Sequence, residues 1–209
     1  MRLRHKNWTG RYIEANQEFF INNKFDNNFK NDKPINLEIG CGKGNFIKGK
    51  ANQVKDENWI GMEKESTVIG VALRNVIESG EKENNILFIN RYAENLLDIF
   101  EKGSISKIFL NFSDPWPKAK HAKKRLTNIK FLNNYWEVLN ENGSIEIKTD
   151  NDKLYEYSLE QIAESKFTIV YSTTDLHKDS QEMQLNVMTE YEKRFSENGK
   201  NINKIIIKK

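Results

Sequence analysis

Pro34-Ile-Asn-Leu-Glu-Ile-Gly-Cys-Gly-Lys-Gly44 reads as a buried strand that runs into a glycine-rich turn and then a helix. Glycines let the backbone approach a ligand closely, and a helix N-terminus offers N–H donors that have no partner within the helix. The spacing is G-x-G-x-G and not the G-x-G-x-x-G of dinucleotide-binding loops. Glu38 places a carboxylate two residues before Gly40. A negative group there disfavours a pyrophosphate and suits a ligand that carries positive charge.

The same alternation of short apolar runs and longer helical patterns continues along the chain. Strands are expected at Ile35–Ile39, Trp59–Met62, Ile86–Ile89, Lys107–Phe112, Ser144–Lys148, Phe167–Tyr171 and Lys204–Ile207. Helices are expected near 44–52, 66–79, 92–101, 127–140, 152–164 and 183–197. This pattern predicts an α/β chain with a mostly parallel seven-stranded sheet and helices on both faces. No repeat or Pro/Gly/Ser linker interrupts it, so residues 31–209 read as one domain and residues 1–30 as a flexible basic N-terminal arm.

Bulk composition narrows the function. The net charge of +3 is too small for a whole-molecule field, so any polyanion contact needs local clustering. Arg2, Arg4, His5, Lys6 and Arg11 form one cluster ahead of Glu14; Lys118, Lys120, Lys123, Lys124 and Arg125 form another. Each is either a solvated face or a phosphate-seeking surface. The lone Cys41 excludes an internal disulfide and fits a reducing, cytoplasmic setting. No signal-peptide pattern or membrane span is expected. His5, His121 and His177 have no ligand spacing, and no metal is expected. Oligomeric state stays open between monomer and homodimer.

Chemistry gathers at the expected strand ends, where α/β folds keep their ligands. Glu63 ends the second strand about 20 residues after the glycine loop, the distance at which such folds place an acid against ribose hydroxyls. A nucleoside ligand with positive charge is S-adenosylmethionine. Tyr92, after the third strand, either stacks on an adenine or belongs to the core. Asp114 ends the fourth strand and leads into Pro115-Trp116-Pro117 and the second basic cluster. An acid, a rigidly presented aromatic ring and a polyanion contact thus share one stretch, which suggests chemistry on a nucleic-acid base. Asp150 ends the fifth strand; it either sits near Asp114 or caps the next helix.

In this order the segments Leu37–Gly44, Gly61–Glu63, Asn111–Lys118, His121 with Lys123–Leu126, Lys148–Asn151 and Thr189–Glu192 resemble the bacterial tRNA (guanine-N7-)-methyltransferase family. The resemblance implies a Rossmann-like class I methyltransferase and methyl transfer from S-adenosylmethionine to N7 of a guanine in the tRNA variable loop. It implies cofactor contacts from Glu38, Gly40, Gly42, Glu63, Tyr92 and Asp114, with Asp114 also catalytic. It implies substrate contacts from Lys118, Asp150, Thr189 and Glu192, and RNA contacts from Lys120, His121, Lys123, Lys124 and Arg125. Tyr92 stands where the family usually has an acid, and Ala119 and Ala122 dilute the basic run. Two competing readings remain: methylation of adenine N6, and an RNA-binding protein without activity.

Overall fold

The computed structural model describes residues 6–78 and 85–209. Arg2, Arg4 and His5 of the first basic cluster lie outside them. The chain divides into two compact units, residues 1–93 and 94–209.

In the first unit β1 (Ile35–Ile39), β2 (Asn58–Met62) and β3 (Ile86–Ile89) run parallel in the order β3-β2-β1. Every residue of β2 is buried, as expected of a central parallel strand covered on both faces. The helices are α1 (Trp8–Glu14), α2 (Asn45–Gln53) and α3 (Ser66–Ile77). Ile47, Ile69 and Leu73 reach the core from α2 and α3 and are fully buried with Leu37, Ile60 and Phe88.

Residues 8–21 are not a free arm. α1 lies on α3 at a point where Gly70 has no side chain, and a Cβ there would stand 2.7 Å from that of Thr9. Thr9 is buried, and the Arg74 guanidinium covers the Trp8 ring at 4.4 Å. Further on, Phe20 pairs with Phe88, and the Ile21 N–H donates to the Phe88 carbonyl. Buried anchors explain the difference: Thr9, Phe20 and Ile21 are taken out of water, which favours docking over a solvated arm.

In the second unit the strands are β4 (Ile105–Asn111), β5 (Leu139–Thr149), β6 (Thr168–Thr173) and β7 (Asn203–Lys208), in the order β4-β5-β7-β6. β4 and β5 are parallel, whereas β7 is antiparallel to both of its neighbours. Its helices are α4 (Ile129–Val138), α5 (Asp152–Ala163), α6 (Ser180–Leu185) and α7 (Glu190–Glu197). The seven strands make a mostly parallel sheet, as the alternating pattern predicts.

Two expected helices differ. Over 92–101 only a 3-10 turn forms at Leu96–Asp98. The Asn134 side chain accepts the Leu96 N–H and donates to the Glu94 carbonyl, so one side chain satisfies two backbone groups that a longer helix would have paired internally. The expected 183–197 helix breaks between Leu185 and Glu190. There the Lys148 ammonium draws the Asn186 side chain and the Val187 carbonyl toward itself.

Candidate functional site

Within the first unit, β1 delivers a glycine turn at its carboxyl end. The Gly40 and Cys41 N–H groups both donate to the Met62 carbonyl, which ties the turn to β2. Gly40 and Gly42 have φ of 78° and 56°, and a Cβ on either would meet nothing within 4 Å. The backbone demands glycine here, and the space beside it is open, which is the shape of a ligand cradle. Gly44, also left-handed, opens α2 against Ala72.

Two carboxylates converge on this turn. Glu38 is buried on β1. Glu63 follows β2 and accepts the Gly42 N–H through Oε2 and the Glu65 N–H through Oε1. Burial first, and then the negative fields of Glu38 and Glu63, push the Cys41 thiol well above its ordinary range. A site with that field favours a cation and repels a phosphate. Asn90, at the end of β3, donates to the Glu63 carbonyl and accepts from the Ser66 hydroxyl. Tyr92 is 41% exposed under the Lys64 ammonium, so it is not a core residue.

Within the second unit, β4 and β5 are neighbours in parallel register, Asn111 opposite Lys148. Asp114 and Asp150 therefore leave the same edge of adjacent strands. Phe112 turns left-handed at φ 52°, its N–H donating to the Lys148 carbonyl, and Trp116 is left-handed at φ 41°. Asp114 is exposed between them. Asp150 does not cap α5: Asn151 does, accepting the Leu154 N–H at 2.9 Å.

The basic run forms a 3-10 turn over Ala119–Lys124, preceded by the exposed Lys118. Lys120 and Lys123 are exposed. His121 meets the Trp116 ring edge-on at 5.6 Å, and the Lys124 ammonium lies 4.8 Å from its centroid. Arg125, expected to touch RNA, turns inward and donates to the carbonyls of Pro115 and Trp116.

Glu192, expected to touch substrate, is completely buried and held internally. Lys148 donates to its Oε2 at 2.6 Å, while His177 and the Asn186 amide bond its Oε1. Thr189 caps α7 by accepting the Glu192 N–H. Both Glu192 oxygens thus already have protein partners. Burial alone would raise its pKa, but Lys148, His177 and Asn186 hold it below the usual carboxylate range. Burial lowers the Lys148 ammonium, partly offset by Glu192. Lys148 and His177 were not legible as partners, since nothing in local spacing joins residues this far apart in sequence.

Among the described residues no group of His, Cys, Asp or Glu stands together in the number a metal ion needs, and no helix is long and apolar enough to cross a membrane.

A glycine cradle with two carboxylates beside a parallel strand end, in a sheet of this topology, defines the class: an α/β, Rossmann-like methyltransferase fold. Solved structures agree on the fold. A 16S rRNA methyltransferase, KamB, superposes with a TM-score of 0.65 at 11% identity over 88% of this chain and 94% of its own. A family model described as "Putative methyltransferase" matches residues 32–205. A tRNA (guanine-N(7)-)-methyltransferase of Mesoplasma florum is 50% identical over 100% of this chain and 99% of its own length. One of Bacillus subtilis is 43% identical over 97% and 96%. The chain belongs to the tRNA (guanine-N7-)-methyltransferase family.

Proposed function

We propose that this protein transfers a methyl group from S-adenosylmethionine to N7 of a guanine in the variable loop of tRNA, in the cytoplasm. The observation that carries the reading is the exposed Asp114 in the loop that follows β4, with Asp150 leaving the same sheet edge from β5 and exposed lysines just downstream of Asp114.

The residues of the first unit fit the cofactor. The open glycine turn, Glu38 and Glu63 make an anionic cradle for a charged nucleoside. When bound, the cofactor supplies a methyl group made electrophilic by a sulfonium. Glu63 offers its remaining carboxylate lone pairs to ribose hydroxyls, and Tyr92 offers an exposed ring face for stacking.

Guanine N7 has an in-plane lone pair and no proton to lose, so no general base is required. The protein's task is alignment, with nucleophile and carbon about 3–3.5 Å apart in line. The purine gains positive charge as it is methylated. A carboxylate at Asp114 favours that cation more than the neutral base, and so lowers the barrier. Asp150 and Lys118 hold the base and its phosphate, Lys120, Lys123 and Lys124 meet the RNA backbone, and Thr189 contributes through the α7 cap it forms.

The test incubates the protein with labelled S-adenosylmethionine and bulk tRNA and identifies the methylated nucleoside. 7-Methylguanosine is the expected product; 6-methyladenosine, or no product with Asp114 intact, overturns the reading.

A further inference from the structure

The Asp114 loop is built from backbone that side chains do not favour. Phe112 and Trp116, two residues to either side of Asp114, are both non-glycine residues in the left-handed region. Such geometry persists only where the surroundings over-determine it. One end is fixed by the sheet, through the Phe112 N–H and the Lys148 carbonyl at 2.8 Å.

The other end is held by Arg125. Its Nε donates to the Pro115 carbonyl at 3.0 Å, and a terminal nitrogen donates to the Trp116 carbonyl at 3.1 Å. The guanidinium lies over the Tyr157 ring, 4.2 Å from its centroid. Tyr157 is itself fixed, its hydroxyl accepting from the Asn128 amide at 2.6 Å and bonding Gln161. Asn128 in turn caps α4. The loop is therefore pinned through Arg125 to α4 and α5. Lys120 and Lys123, in the same basic run, stay exposed.

We propose that Arg125 is a positioning residue, which sets the direction of Asp114 by gripping the two carbonyls that follow it, and is not a phosphate contact. The inference rests on the reading of Asp114 given above. A guanidinium suits the task because its planar fork donates to two carbonyls while its face stacks on a ring. A lysine offers a point charge without that fork.

Arg125→Lys and Arg125→Gln, with Asp114→Ala and Lys120→Gln alongside, separate the two roles in steady-state methylation of tRNA across a salt series. For a positioning residue, both Arg125 variants lose tenfold or more in kcat, Lys does not rescue, and the tRNA KM keeps its salt slope. Lys120→Gln instead raises KM and flattens the slope by about 0.7–0.9, as loss of one phosphate contact requires. If Arg125→Lys restores kcat while Arg125→Gln raises KM and flattens the slope, Arg125 binds phosphate and the proposal falls. Should either Arg125 variant fail to fold, Tyr157→Leu removes the stacking platform with the charge intact; unchanged kcat there also overturns it. Asp114→Ala with wild-type turnover removes the reading of Asp114 and this inference together. Loss of turnover in Asp114→Ala, with wild-type kcat in both Arg125 variants, removes the inference alone.

Discussion

The Lys148 ammonium and the Glu192 carboxylate meet at 2.6 Å with 4% and 0% of their side chains exposed. Lys148 lies in the last two residues of β5, two positions before Asp150, and Glu192 lies in the first turn of α7. The pair therefore joins the strand that carries Asp150 to the helix that Thr189 caps. Charges taken out of water bind each other strongly but cost their hydration, so such a pair specifies an arrangement more than it adds net stability.

Lys148→Met should destabilise the protein by about 3–5 kcal/mol, because it leaves a buried carboxylate without its cation. Replacing both partners, as in Lys148→Met with Glu192→Leu, should cost much less than the sum of the singles. Urea denaturation of the four proteins measures the coupling; strict additivity contradicts it.

Acid should act through the same pair. Glu192 titrates below the usual range in the folded protein, so its contribution is fully present above about pH 4.3, where an unfolded glutamate ionises, and is lost as pH falls through the lower folded value. Glu192→Gln should flatten the acid limb of the stability curve there. An unchanged limb would show that Glu192 does not govern it.

At alkaline pH the sign reverses. Burial, and then its hydrogen bond to Asp179, push the Tyr171 phenol up to about 12. The unfolded chain deprotonates first, near pH 10, so the stabilisation is complete below that value and declines as pH rises toward 12. Difference absorbance should show Tyr171 ionising late, and Tyr171→Phe should remove that step.

Cofactor affinity should depend on Glu63 and the open turn. Glu63→Ala removes a carboxylate that also accepts the Gly42 and Glu65 N–H groups. A weakening on the order of 1.5–3 kcal/mol, roughly tenfold or more in Kd, is expected by titration calorimetry with S-adenosylmethionine. Gly42→Val should abolish measurable binding, since it strains a φ of 56° and fills the cradle. Wild-type affinity in either variant would exclude the cradle as the cofactor site.

Much of the architecture was written locally. β1 and β3 span the expected residues, and the other strands differ only at their ends, because apolar runs bounded by turn signals leave little choice. The glycine turn and the exit of Asp114 from a strand follow from the same short-range pattern. The direction of β7 does not: its short isoleucine run suits a parallel or an antiparallel neighbour, and pairing with β5 and β6 settles it. Glu192 has the look of a solvated helix start until Lys148, His177 and Asn186 close around it.

The glycine turn and the strand ends at Glu63, Asp114 and Asp150 were determined by the sequence itself, because backbone freedom and hydrophobic periodicity act over a few residues. What each charge does was decided only by the tertiary structure. Lys120 and Arg125 stand in one basic run, yet one faces solvent and the other holds two carbonyls against Tyr157. A charge takes its role from the partners within a few ångströms of it, and those partners are brought there by folding.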